Sequence, residues 1–270
     1  MLKISIVGCG AIGTSLARTI SSQFQAQARL VALYDIDRQK AVKLARQLKQ
    51  PVLAVRDLNS AIKKAQLIIE ASSASAAFDI ARKGVRAGRD IMVMSVGALL
   101  KGRRQLEKEA ASKGSSIYIP SGAIAGIDAL RAAQCAGIKR VTLTTLKPPQ
   151  AFKGVEYVAA KNIDLSRLKK DKVLFEGNAL AATRAFPQNI NVAAVLSLAG
   201  AGPAKTRVRI VASPGLKRNM HRIEIESRAG RITTSTENVI HPANPKTSYL
   251  AVLAALATLK RILGPLEIGN

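Results

Sequence analysis

From Lys3 to about Ala123, short β-rich runs alternate with segments whose apolar residues recur every three or four positions. KISIVG opens the series and is followed by a helical segment with Ile12, Leu16, Ile20 and Phe24 four apart. RLVALYD comes next, then a helix carrying Ala41, Leu44, Ala45 and Leu48, the run PVLAV, a short helix through Ile62, and LIIEAS. A helix near Ala76 to Ala87, DIMVMSV, a charged helix from Lys101 to Lys113, and SIYIP complete it. Strand and helix in strict alternation predict a parallel sheet covered on both faces.

After Ser121 the rhythm changes. RVTLTTLKP, TRVRIVASP, HRIEIES and RITTST carry period-two alternation and are separated by turn residues, which predicts a mostly antiparallel sheet with one solvated face. One helix, about Ile190 to Leu198, is expected among them. The closing segment PKTSYLAVLAALATLKRIL is a strongly apolar helix in which Leu250, Leu253, Leu256, Leu259 and Leu263 need a large surface to cover them. It is expected to pack back on the first domain. The expected division is therefore 1–122 with 245–270 for an N-terminal Rossmann domain, and 123–244 for a smaller α+β domain for catalysis, substrate and dimerisation.

The chemistry begins at Gly8-Cys9-Gly10-Ala11-Ile12-Gly13, a G-x-G-x-x-G run directly after a strand and directly before a helix. Gly8 permits the tight turn, Gly10 admits a diphosphate to the backbone, and Gly13 allows close packing of helix on strand. Asp35 closes the second strand, where a carboxylate grips the ribose hydroxyls of NAD and repels the 2′-phosphate of NADP. Arg38, three residues on, is placed to accept that phosphate, so NADP stays open as an alternative. Ligands lie at the carboxyl ends of parallel strands, which adds Ser72 and Ser73, Gly97, and the small residues Ser121, Gly122 and Ala123.

Only two histidines occur. His221 alternates with Ile223 and Ile225, so it shares their buried face while Arg222, Glu224 and Glu226 face water. It is either a hydrogen-bonded sheet histidine or a general base of ordinary pKa near ~6.5. In a chain short of other bases, the second reading is taken. His241 is secondary. It precedes Asn244-Pro245, read as the cap and first residue of the last helix, with Lys246, Thr247 and Ser248 in its first turn. That helix start is read either as a cap and nothing more or as a carboxylate site as well. Asn189 and Asn191 open the earlier helix, and their amides suit a cap, a carboxamide or a substrate carboxylate equally.

Charge alters the picture less than its size suggests. Lys and Arg number 42 against 17 Asp and Glu, a net +25, yet the basic residues are scattered along helices and strands. With five Phe, four Tyr and no Trp there is little to stack on bases, so nucleic-acid binding is disfavoured. Cys9 and Cys135 lie far apart with no CxxC or Cys/His cluster, so no disulfide and no metal site is expected. The first ten residues lack a signal peptide's core and cleavage site, and no run nears the roughly 20 apolar residues of a membrane span. A cytoplasmic location is expected.

Taken together and in this order, GCGAIG with Asp35, SGAIAGIDAL (Ser121 to Leu130), TLKPP (Thr145 to Pro149), FPQNINVAAVLSLAG (Phe186 to Gly200), the His221 strand and NPKTSYLA (Asn244 to Ala251) resemble the L-aspartate dehydrogenase family. The resemblance implies a fold similar to dihydrodipicolinate reductase, a homodimer, and NAD(P)-dependent conversion of aspartate to iminoaspartate or oxaloacetate plus ammonia, with NAD biosynthesis as one outlet. It implies His221 as the catalytic histidine, Ala123 and Asn189 as cofactor contacts, and Lys246, Thr247 and Ser248 as substrate-carboxylate ligands. The alternatives are another Rossmann imine or semialdehyde reductase, and a non-catalytic NAD- or nucleic-acid-binding regulator.

Overall fold

A computed structural model describes residues 1–186, 190–242 and 244–268. The chain divides into two compact units: Met1–Pro120 with Val252–Glu267 form the first, and Ser121–Ala251 the body of the second.

The first unit runs β1 (Leu2–Val7), α1 (Ala11–Gln23), β2 (Ala28–Tyr34), α2 (Arg38–Gln47), α3 (Leu58–Lys64), β3 (Leu67–Glu70), α4 (Ala74–Arg86), β4 (Asp90–Val93), α5 (Arg103–Lys113) and β5 (Ile117–Tyr118). Its strands are parallel in the order β2-β1-β3-β4-β5. They are short and mainly apolar, with β3 buried throughout and most positions of β1 and β4 buried, as covering on both faces demands. Asp37 and Asp57 cap α2 and α3 by accepting from the backbone N–H of Gln39 and Ser60.

PVLAV does not form a strand. It is a turn of 3₁₀ helix over Pro51–Leu53, and one parallel bridge from Ala54 to Leu33 marks the outer position where a further Rossmann strand pairs. Pro51 has no N–H to give a ladder, and its fixed φ starts a turn instead.

The chain returns to this unit through α10 (Tyr249–Leu263), whose Ala255 and Leu259 lie in one core with Ile4, Ile6, Leu16, Ile20 and Leu44. The expected leucine stripe is displaced. Val252, Ala255 and Leu259 are buried at helical spacing, Leu256 and Leu263 are partly covered, and Leu250 and Leu253 are exposed.

The second unit contains α6 (Ile127–Ala136), β6 (Ile138–Lys147), α7 (Glu156–Ala160), β7 (Lys172–Asn178), α8 (Ala179–Ala185), α9 (Ile190–Ala199), β8 (Thr206–Ala212), β9 (Asn219–Ser227), β10 (Gly230–Asn238), β11 (Ile240–His241) and β12 (Asn244–Ser248). Its main sheet has the order β10-β9-β6-β8-β7, antiparallel except for the β6/β8 pair. Where one helix was expected there are also α6, α7 and α8. Alanine-rich runs such as AATRA show little apolar contrast between faces, so periodicity underweights them. Phe152, Tyr157, Phe175 and Phe186 pack ring on ring with centroids 5.1 to 6.1 Å apart and anchor the end of α8.

The start of the last helix is also corrected. Asn244–Ser248 is a strand paired with β11, Ile240 opposite Ser248 and His241 opposite Asn244, and the helix begins only at Tyr249. Pro245 biases the residue before it away from helical geometry, which favours the hairpin. Leu259→Ala is expected to lower stability by about 2–5 kcal/mol, the usual cost of a cavity at a fully buried leucine, read from the denaturant midpoint at unchanged m-value.

Candidate active site

In the first unit the glycine run closes around backbone. A Cβ on Gly13 would stand 1.9 Å from the Gly8 carbonyl oxygen, and one on Gly8, whose φ is +101°, 2.3 Å from that of Ala71. Gly10 differs, because a Cβ there would meet nothing within 4 Å. It stands at the N-terminus of α1, which has no side-chain cap and no acidic residue in its first turn. The first-turn N–H groups, those of Ala11, Ile12 and Gly13, are therefore left for an anion. Open space in front of uncapped donors fits a dinucleotide diphosphate.

Asp35, just past β2, accepts from the Cys9 N–H at 2.7 Å and the Asp37 N–H at 2.9 Å, so its carboxylate is held beside the glycine loop. Arg38 begins α2 and is exposed. Burial and the Asp35 charge push the Cys9 thiol up to about 12, which keeps it protonated and unreactive.

Sequence reasoning passed over Glu70. It ends β3 fully buried, and its carboxylate accepts from the Ser72 N–H and hydroxyl, both at 2.8 Å, and from the Ser95 N–H at 3.0 Å and hydroxyl at 3.1 Å. One carboxylate thus ties together two of the predicted strand-end segments. Ser73 stands before α4 and pairs its hydroxyl with Ser75, and Gly97 lies in a 3₁₀ turn over Val96–Leu99. A lone acid at the end of an apolar strand was the available signal.

In the second unit His221 is 6% exposed and stands opposite Thr145 of β6 and Thr236 of β10. Thr145 Oγ1 lies 3.0 Å from His221 Nδ1. Thr236 Oγ1 and Asn238 Nδ2 donate to the Ala123 carbonyl at 3.1 and 3.0 Å, which brings Ala123 to the strand beside His221. Asn238 is buried, and its Oδ1 has no hydrogen-bond partner among the described residues. A buried oxygen left so costs about 1–3 kcal/mol unless a water or a ligand meets it.

The histidine is not of ordinary pKa. Burial, and then the charge of Lys147, lower it to about 4, so the imidazole is neutral well below pH 7. Lys147 itself is lowered to about 8 by burial. Thr145 and Lys147 lie in the TLKPP motif but were given no role, although period two along TLTTLK sets them on the side of Val141 and Leu143, and Asn238 was not singled out.

The other expected positions are dispersed. Asn191 is exposed near the start of α9, and Thr247 and Ser248 are half-buried in β12. Lys246 shares that strand, so the helix-terminus argument for a carboxylate site at 246–248 no longer applies. Asn189 lies outside the described residues. His241 is buried with its ring edge-on to Tyr249. Among the described residues no three His, Cys, Asp or Glu side chains cluster as a metal site, and no helix is long and apolar enough to cross a membrane.

Comparison with known proteins ties these elements together. Residues 8–120 match the family described as homoserine dehydrogenase, NAD binding domain, and residues 128–262 match aspartate dehydrogenase, C-terminal. The L-aspartate dehydrogenases of Methanococcoides burtonii and Methanosarcina acetivorans are each 46% identical over the whole of both chains. The chain belongs to the L-aspartate dehydrogenase family. Aspartate dehydrogenase of Thermotoga maritima superposes over the whole of both chains with a TM-score of 0.74 at 25% identity. A homoserine dehydrogenase of Archaeoglobus fulgidus shares the fold, at a TM-score of 0.58, 12% identity and 98% and 100% coverage. Membership makes the protein an oxidoreductase that uses a nicotinamide dinucleotide.

Two outcomes follow from the geometry. Gly10→Ala should fold with unchanged thermal stability but lose NADH affinity, since its methyl projects into the space open to the diphosphate. Gly13→Ala should lose stability and binding together, as thermal melts and NADH fluorescence titrations will distinguish. For His221, the unfolded chain takes up a proton near pH 6.5 and the folded one only near 4. Its contribution is therefore complete above pH 6.5 and is lost as pH falls, by about 2–3 kcal/mol at pH 4.5. Denaturant melts of wild type should show this extra loss between pH 7.5 and 4.5, and those of His221→Gln should not.

Proposed function

We propose that this protein catalyses the oxidative deamination of L-aspartate: L-aspartate, NAD(P)+ and water give oxaloacetate, ammonium, NAD(P)H and a proton. The observation that carries this reading is a buried neutral imidazole in a polar cluster, within a chain matched end to end by relatives named L-aspartate dehydrogenase. The bound nicotinamide supplies the acceptor for the hydride that leaves Cα.

The chain's own task is protonic. The α-ammonium must lose a proton before its nitrogen lone pair can form the C=N bond of iminoaspartate, and the water that then attacks Cα must lose another. His221 Nε2 serves for both. Base action there requires Nδ1 to carry its proton and give it to Thr145 Oγ1, whose 3.0 Å separation suits that hydrogen bond. A pKa near 4 suits a free site that must stay uncharged, and a substrate carboxylate beside the ring raises it towards the working range.

On the cofactor side, Gly8, Gly10, Ala11, Ile12 and Gly13 hold the diphosphate and Asp35 the adenosine ribose, with Ser72, Ser73, Gly97, Ala123 and Asn189 completing the contacts. NAD is the preferred cofactor in this reading, because the Asp35 carboxylate repels a 2′-phosphate and Arg38 is exposed. Asn191, Lys246, Thr247 and Ser248 are assigned to the substrate carboxylates. The protein is expected to work as a homodimer in the cytoplasm and to supply NAD biosynthesis.

NADH oxidation should depend on both oxaloacetate and ammonium, fail with pyruvate or 2-oxoglutarate, and be slower with NADPH. His221→Ala should lower kcat by about 10²–10⁴-fold, the range of general acid–base catalysis. Turnover of a cyclic imine or semialdehyde without ammonium would point instead to a related reductase.

A further inference from the structure

Along β6 the face of the buried Val141, Leu143 and Thr145 continues to Lys147, which is half-buried. Thr145 stands opposite His221, and Lys147 lies two residues on, on the same face and diagonal to the imidazole. On the other side its register partner is the buried Ala212.

We propose that Lys147 binds a carboxylate of the substrate, so that the sheet face carrying His221 selects dicarboxylates through a half-buried cation. This rests on the dehydrogenase reading given above. Among the described residues the charge that bears on His221 is Lys147, while β10 presents the neutral Thr236 and Asn238, β8 presents Ala212, and Lys172 of β7 is exposed. Two groups able to carry positive charge therefore share one face, and the ammonium disfavours the charged form of the imidazole. A carboxylate between them relieves both, stabilising the ammonium and making the imidazole a stronger base as the substrate arrives. Burial lowers the lysine to about 8.

The test compares wild type, Lys147→Met and Lys147→Arg in the ammonium-dependent reduction of oxaloacetate. Lys147→Met should raise the KM for oxaloacetate about 10- to 100-fold, the scale of one lost hydrogen bond to a charged group, with the NADH Kd unchanged. Lys147→Arg should recover part of that loss. The acid limb of kcat/KM should move to higher pH in Lys147→Met, because the imidazole has lost its neighbouring cation. A merely structural lysine would instead alter melting and NADH affinity and leave that limb in place. An unchanged KM and acid limb in Lys147→Met, with wild type active, would overturn the proposal alone. Absence of ammonium-dependent turnover in wild type would overturn the dehydrogenase reading. The proposal is then decided by whether oxaloacetate raises the melting temperature of wild type and not of Lys147→Met.

Discussion

The first unit depends on a place where three backbone segments meet without side chains between them. Gly13 lies against the carbonyl of Gly8, and Gly8 against that of Ala71, at distances no Cβ could share. That approach brings the end of β1, the start of α1 and the turn after β3 to one point, the reversal in strand order where a parallel sheet offers a crevice. The contact also takes the chain past β3 with Glu70 buried at its end. A buried carboxylate needs donors for both oxygens, and it draws them from Ser72 and Ser95. The floor of the cofactor crevice is thus set by the satisfaction of backbone and carboxylate groups more than by apolar packing.

The second unit changes character along its strands. β6 passes from Val141 and Leu143 to Thr145 and Lys147, and β9, antiparallel to it, from Ile225 and Ile223 to His221. One end of this face is core and the other is a polar cluster. His221, Lys147 and the buried Asn238, whose Oδ1 has no hydrogen-bond partner among the described residues, stand at that polar end, and the charge of Lys147 helps to keep the imidazole neutral. The net charge of +25 has a plainer expression at the surface, where ion pairs such as Arg140–Glu226 and Arg222–Glu224 lie between exposed or half-exposed side chains and contribute little.

Periodicity by itself determined the parallel sheet, the solvated antiparallel sheet, the long apolar helix at the end and the burial of His221, because each follows from which residues must leave water. The glycine run was equally legible at Gly8 and Gly13, since only glycine tolerates those backbone distances. Tertiary structure alone decided the rest. PVLAV is apolar enough for a strand, but a proline at its start left it a turn. Asn244-Pro245 reads as a helix cap, yet pairing with Ile240 and His241 made it a hairpin. The basicity of His221 was misjudged from its type, because a pKa is set by solvation and neighbouring charge. Glu70, Thr145, Lys147 and Asn238 are ordinary residues in a linear reading. Their roles depend on partners between 20 and 120 positions away, a separation that only the folded chain closes.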